Sequence, residues 1–451
     1  MGKRQEWPGT GMFNSHGRQR KSMTEQPVFA AIDLGSTKVC VVLGQAIDED
    51  RFEIVGIGSA STQGGMRNGT IVDVQQTVAA IRKAVDVAAR KASCQVSRVV
   101  VGFAGGEIEG QDQKVMIALK DREVMASDID RILQEARTMM GCSASELLHT
   151  IPKSYRIDEQ GGILNPVGMV GARLEALVHV IRGSDMVLAN LKRSVERAGL
   201  TVRDGDFILQ PLASARAVLT EDDKELGVCV VDIGGGTTTM VLYQNGALSG
   251  VRIIPLGGAA MTKDLAAVMR ISQSDAERIK KEVFTTPGQG PLHEPLDEEA
   301  GTPSPPVPEE ISPGAGRRTQ VREVVEARLE EILTRVKGDL DRLRQNAFLA
   351  RGVVLVGGVA RMPNIVPFAE KIFEMPVSVG QIASRVQGLV DQASSPEYAS
   401  AIGLLYFARD QWGPEDLARQ SESRPDEALE GRSGTGPAPG LRIWNWLREI
   451  I

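Results

Sequence analysis

Residues 226–243, with the sequence LGVCVVDIGGGTTTMVLY, decide the fold. The short apolar, β-branched run at 228–231 predicts a buried strand that ends on Asp232. Three glycines follow the acid, then three threonines, and the apolar run at 240–243 predicts a returning antiparallel strand. The dipeptide Asn245-Gly246 next to it is a strong signal for a further tight turn.

A glycine turn between two strands lets backbone N–H groups approach a phosphate, because no side chain stands in the way. The hydroxyls of Thr237 and Thr238 add hydrogen-bond donors. The carboxylate of Asp232 would repel a phosphate unless a Mg²⁺ ion, held mostly through water, lay between them. The stretch therefore predicts a metal–phosphate site, with a plain Asp-Gly hairpin as the alternative.

The chain contains a second copy of this pattern at residues 28–43, VFAAIDLGSTKVCVVL, with Asp33 at the strand tip. Two such hairpins predict two related halves that face each other across a nucleotide. A third segment, residues 353–362 or VVLVGGVARM, predicts a buried strand that runs into Gly357-Gly358. This glycine pair would let a base or ribose lie close to the backbone.

The order of the two phosphate hairpins and the glycine pair resembles the actin/Hsp70/sugar-kinase ATPase superfamily. Within it, residues 151–182, IPKSYRIDEQGGILNPVGMVGARLEALVHVIR, closely resemble the FtsA family of bacterial cell-division proteins. The segments ELGVCVVDIGGGT and EYASAIGLLYFA resemble that family too, and the resemblance covers about residues 28–409 and the last eleven. It implies an α/β fold: an actin-like (RNase-H-like) two-lobed ATPase with an inserted small α/β subdomain, 1C, and a C-terminal amphipathic helix.

The resemblance also implies a division into subdomains. These are 1A (28–105, 183–225 and 385–410), 1C (106–182), 2A (226–260 and 336–384) and 2B (261–335). Residues 1–27 read as a disordered extension and 411–440 as a flexible linker. Residues 285–318, rich in Pro, Gly and Glu, predict a disordered loop inside 2B, after which a helix resumes near Val321.

Bulk composition excludes several classes of function. A chain of 451 residues with 42% hydrophobic residues is long enough for more than one domain. The net charge of −6 gives no sign of a basic surface for nucleic acid. The four cysteines and four histidines lie without metal-ligand or disulfide spacing, and no apolar run reaches the roughly 20 residues that span a bilayer.

Residue by residue, the resemblance implies an ATP·Mg²⁺ site in which Asp33 and Asp232 hold the metal through water. The expected nucleotide-binding residues are Gly35, Ser36, Thr37, Lys38, Gly234, Gly235, Gly236, Thr237, Thr238, Glu277, Lys280, Lys281, Gly357, Gly358, Val359 and Arg361. Gln210 is a candidate for orienting the attacking water, with a turn or cap role as the alternative. For Glu277, a capping box beginning at Ser274 is a sufficient alternative explanation, and the two lysines could equally form a solvated face.

The last eleven residues, LRIWNWLREII, predict a short amphipathic helix. At about 100° per residue, one broad apolar face results. That face consists of Ile443, Trp444, Trp446, Leu447, Ile450 and Ile451. A helix of eleven residues is about 16 Å long. It is too short to span a bilayer but suits the headgroup layer, where tryptophan is favoured. The alternative is a helix that docks on its own protein, and the apolar-poor tether before it argues against docking.

The resemblance implies a cell-division protein at the inner face of the cytoplasmic membrane, at the division site. Such a protein would self-associate and tether FtsZ filaments by binding the FtsZ C-terminal peptide at 2B. It would bind later divisome proteins through 1C, although 1C could also be an insert that only covers an edge. ATP hydrolysis would be weak at most, with ATP acting mainly as a conformational ligand.

Two alternatives from the same superfamily stay open at this point. A small-molecule kinase predicts a sugar or acid pocket and gives no reason for a tethered, tryptophan-containing tail. A pilus-assembly scaffold ATPase of FtsA-like fold would lack the terminal amphipathic helix. An Hsp70-type chaperone is disfavoured, because the chain after the ATPase body leaves no room for a substrate domain.

Overall fold

The structure is a computed structural model that describes residues 27–120, 122–141, 146–284, 315–345, 347–413 and 416–417. The predicted N-terminal extension (up to residue 26), most of the predicted 2B loop (285–314) and the predicted terminal helix (441–451) lie outside the described residues. No helix within the described ranges is long and apolar enough to cross a membrane.

Seventeen strands and eleven helices make up the described part of the chain. The strands are β1 Val28–Leu34, β2 Lys38–Ala46, β3 Phe52–Ser61, β4 Met66–Arg67, β5 Thr70–Ile71, β6 Val100–Phe103, β7 Glu109–Ala118, β8 Leu147–Ile157, β9 Gln160–Ile163, β10 Arg173–Arg182, β11 Phe207–Leu209, β12 Val228–Ile233, β13 Thr238–Gln244, β14 Ala247–Ile254, β15 Gly352–Val356, β16 Val377–Val379 and β17 Val386–Gly388. The helices are α1 Val74–Ala92, α2 Ala126–Met139, α3 Asp185–Arg197, α4 Gln210–Val218, α5 Glu221–Leu226, α6 Gly258–Met269, α7 Gln273–Val283, α8 Ala315–Arg344, α9 Ile365–Phe373, α10 Val390–Ala393 and α11 Ala399–Gln411.

The first lobe is built on a six-stranded sheet in the order β11-β6-β1-β2-β3-β17. Strands β1, β2 and β3 form an antiparallel meander, and β6 and β11 extend it in parallel. The apolar runs that predict buried strands are indeed buried. Helix α1 covers one face, and its N-cap is Asp73, whose carboxylate accepts the N–H groups of Gln75 and Gln76.

The inserted module between β6 and α3 has its own four-stranded antiparallel sheet in the order β7-β10-β8-β9. Helix α2 covers one face of it and buries Ile129, Ile132 and Leu133. The start of β8 reaches the first lobe, where His149 lies against the end of β11. The module is therefore joined to the first lobe at the edge strand of the large sheet.

The second lobe is built on a five-stranded sheet in the order β14-β13-β12-β15-β16, which repeats the hairpin-plus-parallel-strand pattern of the first. The turn between β13 and β14 is the predicted Asn245-Gly246 turn. Both residues have positive φ, 51° and 75°, as a tight hairpin turn of this kind requires. Helices α6 to α9 complete this lobe, and the apolar stripe of α8 packs in its core.

Two details of the second lobe differ from the sequence-based expectation. Helix α8 begins at Ala315, so the predicted disordered loop does not extend to residue 318. The cap of α7 is Ser272, whose hydroxyl accepts the N–H of Asp275 at 3.1 Å, so the predicted capping box from Ser274 to Glu277 is wrong.

Helices α4 and α11 cross between the two sheets and place both lobes against one another. Their closest approach is at Gly403, where a Cβ atom would lie 1.8 Å from the carbonyl oxygen of Ala213. Only glycine allows two helix backbones to come so near. The crossing puts α4 and α11 directly behind the ends of β1 and β12.

The end of the described chain is anchored on the first lobe. The Trp412 ring is buried, with its centroid 6.0 Å from that of Phe29 in β1, and the Arg98 guanidinium lies 4.8 Å from the Trp412 ring centroid. Asp416 forms an ion pair of 2.7 Å with Arg98 and also accepts from Arg203. We refer to Trp412 and Asp416 with these contacts as the C-terminal anchor.

Candidate functional site

Asp33 and Asp232 lie at equivalent positions near the ends of β1 and β12, one in each lobe. They face each other closely enough for the charge of Asp232 to act on Asp33. Burial raises the pKa of Asp33 to about 7, and repulsion from Asp232 adds to that rise. Burial also raises the pKa of Asp232 to about 6. Two neighbouring carboxyl groups with raised pKa values form a site at which a bound cation would stabilise both negative charges.

One turn of helix α4 contacts both acids. The side-chain amide of Gln210, the first residue of the helix, donates to Asp33 Oδ1. Four residues later, the Ser214 hydroxyl donates to Asp232 Oδ2 at 2.7 Å. Residues four apart lie on the same face of a helix, so α4 spans the gap between the two lobes. Ser400 at the start of α11 adds a further donor to Asp33 Oδ1 at 3.2 Å.

The tips of the two glycine hairpins lie against each other. A Cβ atom on Gly235 would lie 2.5 Å from Thr37, and one on Gly236 would lie 2.3 Å from Ser36 Oγ. The Ser36 hydroxyl accepts the backbone N–H of Gly69 at 2.8 Å. Gly35 and Gly234 each donate their N–H across the turn, to the carbonyls of Lys38 and Thr237. The structure therefore brings the two predicted phosphate turns together.

The glycine pair Gly357-Gly358 lies on the far side of Asp232. Gly357 has a φ of 88°, and a Cβ atom there would lie 2.4 Å from Asp232 Oδ1, so this position needs glycine. Gly358 faces open space, with nothing within 4 Å of its Cβ position. A Cβ on Gly258 would lie 3.2 Å from Val359 and 3.6 Å from the carbonyl oxygen of Gly234. The predicted nucleoside and phosphate segments thus adjoin one another.

Glu277, Lys280 and Lys281 of α7 lie at this same corner. Lys280 Nζ donates to the Gly258 carbonyl at 3.1 Å and pairs with Glu277 at 2.6 Å. Burial would raise the pKa of Glu277, but Lys280 and the Thr262 hydroxyl hold it below its ordinary value. Lys281 is the exposed member, with 74% of its side chain accessible. Lys280 and Glu277 are therefore part of the cleft wall, whereas Lys281 has the solvated position.

Lys38 and Arg361 come from opposite lobes and meet on one carboxylate. Lys38 Nζ pairs with Glu397 Oε2 at 2.6 Å, and Arg361 pairs with Glu397 Oε1 at 2.8 Å. Burial alone would lower the pKa of Lys38, but Glu397 more than offsets that effect and raises the pKa above its usual value. Glu397 therefore fixes both cations at the rim of the cleft.

The three threonines after the glycine turn have different environments. Thr237 is buried at the turn, and the Thr238 hydroxyl donates to the Leu256 carbonyl at 2.8 Å. Thr239 lies opposite Asp232 in the β12–β13 ladder, so both side chains point to one face. Its buried hydroxyl has no hydrogen-bond partner within the described part of the chain. Thr238 therefore stabilises the loop, and Thr239 is the hydroxyl beside the acid.

These residues fit a nucleotide with Mg²⁺. The acids have raised pKa values, a buried hydroxyl beside Asp232 lacks a partner among the described residues, and the space at Gly358 is open. Carboxylates that act through water, with most of the contacts left to phosphate, are the ligands that Mg²⁺ accepts in such sites. The described residues contain no group of three or more His, Cys, Asp or Glu side chains that could hold an ion.

Sequence reasoning missed Ser214, Ser400, Glu397 and Thr239. Ser400 and Glu397 contact the predicted residues from distant parts of the chain; the pair of Lys38 and Glu397 is separated by 359 positions. Ser214 contacts Asp232 from helix α4, 18 positions earlier in the chain. Thr239 could have been predicted from the sequence, because the register of the hairpin places it opposite Asp232. Gln210 lies in the cleft, in contact with Asp33.

Two family models match separate parts of this chain. One, described as cell division protein FtsA, matches residues 229–403. The other, described as an SHS2 domain inserted in FtsA, matches residues 105–182, which include the whole four-stranded module.

Curated relatives match over nearly their whole length. The cell division protein FtsA of Pseudomonas aeruginosa is 36% identical over 430 residues, which are 95% of this chain and 99% of that protein. The FtsA protein of Neisseria meningitidis is 37% identical over 396 residues, which are 85% of this chain and 91% of that protein.

Among solved structures, the PilM-PilN type IV pilus biogenesis complex is similar with a TM-score of 0.58 and 15% sequence identity. The match covers 84% of this chain and 98% of that chain, and at this identity it shows the fold alone. Together with the match to the inserted SHS2 domain, it confirms the predicted actin-like α/β fold with an inserted small subdomain.

Proposed function

This chain belongs to the FtsA family of bacterial cell-division proteins, and from that premise we propose that its cleft binds ATP·Mg²⁺ and that its tail attaches it to the membrane. Its cell-division function follows from the family, and its fold is one that binds nucleotides. The observation that carries the ATP·Mg²⁺ proposal is the convergence of Asp33 and Asp232, bridged by one turn of α4.

Different residues of the cleft would contact the metal, the phosphates and the nucleoside of such a ligand. Asp33 and Asp232 would hold the metal through water, and Thr239 offers the nearby hydroxyl. Backbone N–H groups of the turns at 35–37 and 234–237 would donate to phosphate oxygens. Lys38 would supply a positive charge after giving up part of its contact with Glu397. Gly358 leaves room for the base or ribose, with Val359, Lys280 and Glu277 on the adjoining wall.

Hydrolysis would be weak at most. The bound metal would supply charge neutralisation of the phosphates, and the protein would contribute positioning. Gln210 already donates to Asp33, so its amide is committed to the carboxylate unless that contact opens to admit water. A cleft whose catalytic candidate is already engaged in this way suits a nucleotide that acts as a conformational ligand.

The membrane proposal rests on the sequence of the tail. The segment 441–451 carries an apolar face with two tryptophans, and a polar stretch separates it from the C-terminal anchor. A face of this kind suits the bilayer interface. With two arginines and no lysine, binding would depend on buried apolar area, and self-association would strengthen it through avidity. The protein would then sit at the inner face of the cytoplasmic membrane.

The proposed partners are those of the family. The C-terminal peptide of FtsZ would bind in the region 261–335, where α6, α7 and the first part of α8 pack together. Copies of the chain would self-associate, and the inserted module would contact other division proteins. The pilus-assembly and small-molecule kinase alternatives are not favoured, because the relatives matched over most of their length are cell-division proteins.

Equilibrium binding of a fluorescent ATP analogue, with and without Mg²⁺, tests the cleft. Binding should depend on Mg²⁺, and Asp232→Ala should abolish that dependence because the metal loses one of its two carboxylates. Asp204→Ala is the matched control, since Asp204 is an exposed acid paired with Lys192. Unchanged Mg²⁺-dependent affinity in Asp232→Ala would show that the metal site is assigned wrongly.

Sedimentation with vesicles of a bacterial lipid mixture tests the tail. Trp444→Glu should release the protein from vesicles, because a charge replaces a central apolar side chain of the membrane face. Asn445→Glu, on the polar face, adds the same charge and should bind nearly as well as the wild type. Equal sedimentation of both variants with the wild type would remove the membrane proposal. Adding FtsZ with and without ATP to the same assay tests the tether.

A further inference from the structure

The inserted module contacts the first lobe through His149, close to the nucleotide cleft. Its Nε2 atom accepts the backbone N–H of Leu209 at a distance of 3.2 Å. Leu209 ends β11, the edge strand of the six-stranded sheet. The backbone N–H groups on the open side of an edge strand lack a neighbouring strand, so the imidazole supplies an acceptor that the sheet does not.

The residues immediately after Leu209 connect this contact to the site. The next residue is Gln210, whose amide donates to Asp33, and one turn later Ser214 donates to Asp232. Leu209 is also the residue that precedes the first turn of α4, with an extended φ of −66° and ψ of 128°. A displacement of Leu209 would therefore move the Gln210 amide that contacts Asp33. The Ser214 hydroxyl that contacts Asp232 would move with it.

The environment of His149 suits an acceptor role. The side chain is buried, with 4% of the residue exposed. Burial lowers the pKa of His149 to about 4, so the ring is neutral at physiological pH. A neutral imidazole has one nitrogen that accepts, whereas an imidazolium would have none. The His149 ring can therefore accept the Leu209 N–H at neutral pH.

We propose that His149 is a positioning residue through which the inserted module sets the start of α4 and thereby the affinity of the cleft for nucleotide. This inference deepens the proposed function and rests on it for the identity of the ligand. It gives the module a role in regulation: a neighbouring molecule that shifts β8 changes the contact at Leu209, and with it the two groups that hold Asp33 and Asp232.

Five variants test the proposal by binding of the fluorescent ATP analogue in the presence of Mg²⁺. His149→Leu removes the acceptor and should weaken binding about three- to tenfold, as expected for one lost buried hydrogen bond. His149→Gln retains an acceptor oxygen and should recover most of the affinity. His179→Leu is the matched control, because His179 is a second buried histidine of the same module and its ring pairs with Asp112 of β7.

The other two variants are Gln210→Ala alone and Gln210→Ala combined with His149→Leu, and together they separate positioning from general loss of structure. Because His149 acts through Gln210 as well as Ser214, its substitution should lower affinity by a clearly smaller factor once the Gln210 amide is absent. A fall that is equally large in the Gln210→Ala background, or an equal fall in His179→Leu, would overturn the proposal.

Hydrogen exchange of the nucleotide-free protein makes the test independent of ATP. His149→Leu should increase exchange in peptides that cover residues 207–214, and His179→Leu should not. Unchanged exchange in that segment would overturn the positioning role whatever the nucleotide data. A wild-type protein that binds no nucleotide would instead refute the proposed function, while the exchange result would still decide the role of His149.

Discussion

Replacing Asp33 by Asn should make the nucleotide-free protein more stable, although it removes a residue of the proposed metal site. Burial and the nearby Asp232 raise the pKa of Asp33 from 3.8 to about 7. At neutral pH the folded protein therefore holds a carboxylate that would be more easily ionised in the unfolded chain. Asn has nearly the same shape and keeps an oxygen that can accept from Gln210 and Ser400.

The sign and the size of the effect result from proton linkage. A carboxyl group with a raised folded-state pKa binds its proton more tightly in the folded protein, so stability is lost as pH rises from about 4 to about 7. A tenfold change in proton affinity is worth about 1.4 kcal/mol, which gives an upper limit of about 4 kcal/mol above pH 7. Because one side of the cleft is open to water, we expect a gain of about 2 kcal/mol.

Urea unfolding without Mg²⁺ or nucleotide, at about pH 5 and about pH 8, measures this prediction. The advantage of Asp33→Asn over the wild type should be larger at the higher pH by roughly 1–2 kcal/mol. Asp223→Asn is a control for which we expect a change in unfolding free energy of the opposite sign. Burial would raise the pKa of Asp223, but hydrogen bonds from Thr220 and Arg351 hold it below its usual value, so this variant should be less stable than the wild type.

A gain that is the same at both pH values would refute the reasoning, because it would then come from packing and not from the charge. A loss of stability at pH 8 would refute it more strongly, by showing that the carboxylate is favoured in the folded state. In either case Mg²⁺-dependent ATP binding should be measured on the same variant. The expected outcome is a more stable protein that no longer binds nucleotide in a Mg²⁺-dependent manner.

Three further substitutions give defined outcomes. Glu397→Gln should tighten ATP binding about threefold, because it frees Lys38, and should lower the free energy of unfolding by about 1 kcal/mol. Unchanged affinity in ATP titrations would contradict this prediction. Gly235→Ala should force the hairpin tips apart and weaken binding at least about tenfold, whereas Gly205→Ala, which meets open space, should bind normally. Asn245→Ala should lower the melting temperature by about 2 °C, since φ is 51° there; an unchanged melting curve would contradict it.

Local sequence signals were sufficient for the two lobes. Each hairpin combines an apolar β-branched run, an acid and a glycine turn, and these signals agree with one another over fewer than about twenty residues. Asn245-Gly246, for example, forms the predicted turn. The cap of α7 was predicted wrongly: the cap residue is Ser272, two residues before the expected Ser274.

The contacts that arrange the site could not be predicted locally. Ser214 and Ser400 have no motif of their own, and they reach the acids only because α4 and α11 cross behind the two sheets. His149 was one of four histidines without a pattern. Its contact with Leu209 depends on how an inserted sheet meets the edge of another, which neither segment encodes alone.

The C-terminal anchor determines where mechanical tension would enter the molecule. A pull on the chain beyond residue 417 is resisted first by the Asp416–Arg98 ion pair and by the Trp412 ring on Phe29. Phe29 lies at the beginning of β1, and Asp33 lies near the opposite end of that strand. Traction from a surface would thus be transmitted along the strand that carries Asp33, one of the two acids of the proposed metal site.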